Sequence, residues 1–279
     1  LFPDENSPLY TFILDASEGK VAEVIEKQGP SQNIVSIDLL KDNDTIFTFS
    51  TSGEIQFVSL NEQTLKKTYD ISVSNIIDGD ISDDGKKMAF FPHNLGVYIH
   101  DFDKDKTFGL GNECWGSPNT SRLDLSDDGN FLAATTNNSK NGLCIYDLLK
   151  NEMERIDKVG NILQFSPDSQ TLAVGGYMMM LWNHKENSQT YSYEEDGLYI
   201  ISMDFSHDGK KIALIDGFSR IIVLDIESNM IEAEFTLSDT DPIDFIKFSP
   251  DGKTVATLSR YGDILLFDTI NKRNLSIIN

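Results

Sequence analysis

The chain is predicted to be an all-β protein, a β-propeller of four-stranded antiparallel blades, and three observations lead there. A turn motif of the form apolar–Ser–Pro/Asp–Asp–Gly recurs, with consecutive anchors 42, 44, 40, 40 and 43 residues apart. A second element, an apolar run closed by Asp or a stand-in, alternates with it. Helical periodicity is absent throughout, so the apolar segments between these markers read as short strands. A lone four-stranded sheet exposes two apolar faces, and radial stacking of such sheets covers both.

The turn reads Ile81-Ser-Asp-Asp-Gly85, Leu125-Ser-Asp-Asp-Gly129, Phe165-Ser-Pro-Asp-Ser169, Phe205-Ser-His-Asp-Gly209 and Phe248-Ser-Pro-Asp-Gly252, with a degenerate copy at Leu39-Leu-Lys-Asp-Asn43. An Asp-Gly step supplies the positive φ that a tight strand-to-strand turn requires. The closing element appears as Phe12-Ile-Leu-Asp15, Gln56-Phe-Val-Ser59, Tyr98-Ile-His-Asp101, Cys144-Ile-Tyr-Asp147, Met180-Leu-Trp-Asn183, Val223-Leu-Asp225 and Leu265-Leu-Phe-Asp268. Asp or Asn there can accept from a backbone amide two residues on and start the next turn. A fourth strand follows each, as in Ile231-Glu-Ala-Glu-Phe235. The seven closing elements against six turns give an expectation of seven blades, with six as the alternative. Residues 1–29 read as the last two strands of a partial blade and 30–279 as six full repeats, all in one propeller domain over 1–279.

The Phe-Ser-Pro-Asp-Gly turn and the apolar–Asp closing pair resemble the WD-repeat family over nearly the whole chain. The resemblance is degenerate: no Gly-His dipeptide occurs, and Trp-Asp is replaced by Phe-Asp, Leu-Asp, Tyr-Asp, His-Asp or Trp-Asn. The family's His–Ser/Thr–Asp–Trp hydrogen-bond network is therefore not carried over. The same turn also occurs in other propellers, periplasmic and quinoprotein-like ones among them.

Composition narrows the function. With 45 acidic and 23 basic side chains the formal charge is −22, which excludes a nucleic-acid backbone as main partner. No apolar run is long enough to span a bilayer. The two cysteines, Cys114 and Cys144, exclude a framework of several disulfides and a four-cysteine zinc site, and their scarcity suggests a reducing, cytoplasmic setting. The hydrolase, zinc-protease and phosphate-loop signatures are missing. The histidines His93, His100, His184 and His207 are spread over three repeats, and Asp101-x-Asp103-x-Asp105 lacks the Gly and Glu of a calcium loop. No cofactor, metal site or catalytic residue is expected. Met178-Met-Met-Leu-Trp182 reads as core.

Two sets of residues remain. Asp38, Asp80, Asp124 and Asp204 each stand one position before a turn anchor, with Gln164 and Lys247 in the other repeats. On an innermost strand they could ring a central channel and bind a cation or polar ligand, or they could bond backbone amides of the adjacent blade. The loops after each second strand should share one rim, where Tyr177, Phe218, Arg220, Arg260 and Tyr261 stand out, together with Trp115 on the long connection Gly109–Arg122. Aromatics and Arg are the usual anchors of protein interfaces, and two such arginines could clamp an acidic peptide or simply pair with local Asp. The leading expectation is a non-catalytic scaffold that binds other proteins or peptide motifs on its rim, in a multi-subunit complex and as a module of a longer polypeptide. The alternative is an enzyme or small-ligand-binding propeller with its site in the central channel.

Overall fold

The repeat becomes six four-stranded sheets because each unit carries the same two turn-forming signals. In this computed structural model the described residues are 9–15, 20–27, 33–93, 95–110, 122–135, 142–156, 160–237, 242–260 and 262–278. Blade one has strands Ile34–Leu39, Thr45–Ser50, Glu54–Ser59 and Thr64–Asp70, hydrogen-bonded in chain order. Blades two to six repeat this order over 76–109, 122–156, 162–193, 200–236 and 243–278. Among the described residues, Leu9–Asp15 and Lys20–Lys27 pair with each other alone, as a two-stranded sheet. Among the described residues the blade count is thus six, the alternative, and not seven. The closing element Phe12–Asp15 does mark a strand, but that strand joins no inner hairpin here.

The chain divides into two compact units, Leu1–Leu9 with Glu26–Phe165 and Tyr10–Ile25 with Ser166–Asn279. In the first unit the opening strands of blades one to four lie in sequence against one another, and in the second those of blades five and six do the same. These opening strands are therefore the inner ones.

Side-chain alternation along each strand feeds two interfaces at once. On Lys87–Pro92, Met88 and Phe90 face blade one and join Phe47, Phe49, Ile55 and Phe57. Ala89 and Phe91 face the other way and join Leu123, Leu125, Leu132 and Ala134 of blade three. Phe49 and Phe90 meet edge-on, with ring centres 5.9 Å apart, an arrangement worth about 0.5–1.5 kcal/mol beyond burial. In the second unit Ile215, Val223 and Phe235 of blade five pack on Ile243, Val255 and Phe267 of blade six. The Met-rich strand Met179–Asn183 is core as expected, with Met179, Met180 and Leu181 buried. Cys144, buried on Leu143–Asp147, is disulfide-bonded.

The Ser-x-Asp-Gly turn is a small hydrogen-bond machine. Ser82 Oγ donates to Asp84 Oδ1 at 2.9 Å and accepts from the Lys87 amide at 3.1 Å, while Asp84 Oδ1 accepts from the Lys86 amide at 3.0 Å. The same set recurs around Ser126, Ser166, Ser206 and Ser249. In blade one Leu40 replaces the Ser, and Asp42 alone accepts from the Asp44 and Thr45 amides at 3.0 and 2.8 Å. At the far end of blades three, four and six the closing residue acts as foreseen: Asp147, Asn183 and Asp268 each accept from the amide two residues on at 3.0 Å, whereas Asp101 and Asp225 accept from the amide three residues on.

The fourth turn residue needs positive φ, +69° at Gly85 and +67° at Gly252. A methyl at Gly85 would also stand 2.8 Å from Leu40 Cδ1, whereas at Gly252 its nearest neighbour is Ser206 Cβ at 3.8 Å. Gly252→Ala is therefore expected to cost the backbone term alone, about 1–2 kcal/mol, and Gly85→Ala about 1 kcal/mol more through overpacking. Urea unfolding of the two variants checks this, and equal losses would remove the packing contribution.

Candidate functional site

The inner-strand carboxylates and the loop edge do different work. An opening strand is a sheet edge, and its outward N–H groups have no strand to pair with. In the first unit Asp80 Oδ2 accepts from the Leu125 amide of blade three at 2.7 Å, and Oδ1 from the Ile81 amide at 2.9 Å. Asp124 Oδ2 accepts from the Phe165 amide of blade four at 2.5 Å. In the second unit Asp204 Oδ2 accepts from the Phe248 amide of blade six at 2.7 Å, and Oδ1 from Lys247 Nζ at 2.9 Å. Leu125, Phe165 and Phe248 are the turn anchors of the following blades, so each carboxylate is a strut between neighbours. Two positions earlier, Asp78 accepts from the Leu123 amide at 3.0 Å and Ser202 Oγ from the Ile246 amide at 3.3 Å. Asp38 accepts from Ser36 Oγ at 2.8 Å. Among the described residues no group of three or more His, Cys, Asp or Glu side chains is placed to hold a metal ion.

These struts carry an electrostatic cost. Burial pushes the Asp80 carboxyl well above the ordinary carboxylate range, and the neighbouring Asp38 charge pushes it further. Burial likewise raises Asp78.

The loop edge of blades four and five is built around Asp216, which is fully buried at the end of Lys211–Asp216. Its Oδ1 accepts from the amides of Phe218 and Arg220, both at 2.9 Å, and its Oδ2 from Arg220 Nε at 2.7 Å. That network folds 217–219 into a tight loop with Ser219 at φ +57° and turns Phe218 outward. Arg220 then reaches across to Glu195, giving two hydrogen bonds of 3.1 Å, with Glu234 3.7 Å away. Glu195 and then Asp216 hold the guanidinium firmly charged, and Arg220 in turn holds the Glu195 carboxyl low. Tyr193 donates to Glu195 at 2.8 Å, and its hydroxyl is pushed up to about 12, first by burial and then by that carboxylate.

Backbone bonds tie the loops together. The Ile200 amide donates to Gly176 O and the Gly217 amide to Tyr199 O, both at 2.8 Å. Tyr177 and Tyr199 thereby meet with ring centres 5.2 Å apart, and the Phe218 ring lies over Gly197. The structure thus brings together three of the expected residues, Tyr177, Phe218 and Arg220. Arg260 forms a separate pair with Asp244 in blade six, at 3.0 Å. Both arginines follow the reading in which each pairs with a local carboxylate. Trp115 and Tyr261 lie outside the described residues. Tyr199 and Glu195 were not singled out in the sequence; the run Glu194-Glu195-Asp196 before Gly197 and Tyr199 was the available signal.

The raised Asp80 fixes the sign of one pH effect. A carboxyl whose folded value lies above its unfolded value destabilises the fold at high pH and takes up a proton as pH falls. Between pH 8 and pH 4 the stability of the parent relative to Asp80→Asn is therefore expected to rise as pH falls through the raised folded value of the carboxyl. Thermal unfolding of both across that range checks it, and a constant difference would mean Asp80 titrates as an ordinary carboxylate.

No protein-family model matches the chain. A curated protein, WD repeat-containing protein SL1-17 of Schistosoma mansoni, is 24% identical over 160 residues, 54% of this chain and 51% of that protein. The chain thus spans about half the length of the curated relative it matches. With six four-stranded antiparallel blades and a Ser-x-Asp turn in five of them, closed by Gly in four and by Ser169 in the fifth, the chain is a WD-repeat-like β-propeller.

Proposed function

We propose that the chain is a non-catalytic protein-interaction scaffold that takes partner proteins on the loop edge of blades four and five. One observation carries the reading. Tyr177, Phe218 and Tyr199 are 81%, 63% and 38% exposed, yet they stand at one place on loops held by hydrogen bonds to the buried Asp216 and between loop backbones. Large aromatics displayed on a rigid base lose little rotamer freedom on contact, which is what interface anchors require. Arg220 serves this surface by fixing its base. Arg260 and the exposed Phe245 extend the same kind of surface into blade six. The channel-site alternative is less favoured, because Asp80, Asp124 and Asp204 already accept from backbone amides of the next blade.

Recovery of partners from native lysate tests this. Tyr177→Ala/Phe218→Ala is expected to lose a defined set of proteins with a melting temperature close to the parent's, since both side chains are exposed. Arg220→Glu/Arg260→Glu is expected to lose the same set, because it dismantles the loop base. Identical recovery with both variants would overturn the reading.

No helix among the described residues is long and apolar enough to cross a membrane. The cytoplasmic setting expected from the scarcity of cysteine is tested at Cys144, since reducing compartments do not keep structural disulfides. With the bond present as in the structure, alkylation in urea without reductant, which exposes the otherwise buried side chain, is expected to leave Cys144 unlabelled in chain from its native source. A labelled Cys144 would retain the cytoplasmic setting.

A further inference from the structure

We infer that the segment docking on this edge is cationic, a stretch of a partner protein rich in Arg or Lys with apolar residues between them. The inference rests on the reading that the edge takes a protein partner and names that partner's chemistry.

Charge comes first. Arg220 is surrounded by Asp216, Glu195 and Glu234, so one positive charge meets three carboxylates. The adjoining Glu194 and Asp196 are exposed and extend the negative edge directly to Gly197, beneath the Phe218 ring. An acidic segment would have to displace Glu195 from a paired, two-pronged contact with Arg220 and enter a field of its own sign. A basic segment meets complementary charge without breaking anything.

The aromatic geometry selects the same partner. Tyr177 and Tyr199 are tilted by 58° rather than stacked flat, and Tyr177 is almost fully open. A guanidinium or ammonium group is drawn to such ring faces, and Arg also stacks on them. Phe218 offers an apolar surface for the methylene stems that long basic side chains carry. Charge and ring faces thus act on opposite ends of the same side chains.

The test uses fluorescein-labelled synthetic peptides, one alternating Arg with Leu, one alternating Glu with Leu, read by anisotropy against the full chain. The Arg peptide is expected to bind and the Glu peptide not to bind. Raising salt from about 50 mM to about 300 mM should weaken binding about tenfold, as screening of an exposed charged contact demands. Tyr177→Ala/Tyr199→Ala and Glu194→Gln/Asp196→Asn should each weaken it about fivefold or more. Asp103→Asn/Asp105→Asn removes the same charge from the other unit and should leave the affinity unchanged. Equal binding of the Glu peptide would overturn the inference. So would equal weakening by the Asp103/Asp105 variant, which would reduce binding to general attraction by an acidic chain. Loss of native partners with Tyr177→Ala/Phe218→Ala, alongside no binding of the Arg peptide, would sink the cationic assignment and leave the scaffold reading standing.

Discussion

The exposed inner edge of a blade is the constraint on which this structure depends. An opening strand pairs on one side only, and backbone amides left without a partner in a packed protein cost about as much as a lost hydrogen bond. In blades two, three and five the chain meets this with a carboxylate placed a residue before the turn anchor and aimed at the anchor amide of the following blade. The bond fixes the register between sheets that also touch through apolar side chains and through their turns. The desolvation visible at Asp80 is the counterweight to that bond.

The turns extend the same logic from within a blade to between blades. The Lys41 amide donates to Asp83 O, the Asp83 amide to Asp127 O, and Lys87 Nζ to Gly129 O at 2.7 Å. The Ser-x-Asp-Gly turn therefore holds its own hairpin and also its neighbour's. Where the motif decays, as at Leu40 and Asn43, Asp42 and the backbone bonds Leu40 N–H to Thr45 O and Asn43 N–H to Leu40 O keep the turn closed without the Ser.

Much of this was legible in the chain, since the strands, turns and capping residues are local. Phe-Ser-Pro-Asp-Gly states its hydrogen bonds within five residues, and the alternation in Lys-Met-Ala-Phe-Phe-Pro states which side chains face which blade. The recurring Asp before each anchor was visible as well, but its two meanings could be separated only when the acceptor of each carboxylate was seen. Counting closing signals gives seven, but Phe12–Asp15 carries that signal on a strand that, among the described residues, pairs with Lys20–Lys27 alone, which leaves the alternative of six blades. The loop edge was least legible. Arg220 finds Glu195 across 25 positions of chain, a distance at which sequence pattern says nothing about pairing, and the same contact turns an apparent anion clamp into a net negative surface.

The struts have a kinetic meaning too. Within a blade every strand pairs with the one before it in sequence, so hairpins can form from neighbouring residues with little loop-closure entropy. The struts are the long-range steps, and they close loops of 45, 41 and 44 residues, nearly equal in size. Adding a blade within either unit thus faces almost the same closure barrier each time. Such blades can be added by repeated docking of preformed sheets, while the joining of Tyr10–Ile25 to Ser166–Asn279 is the step that gathers residues far apart in the chain.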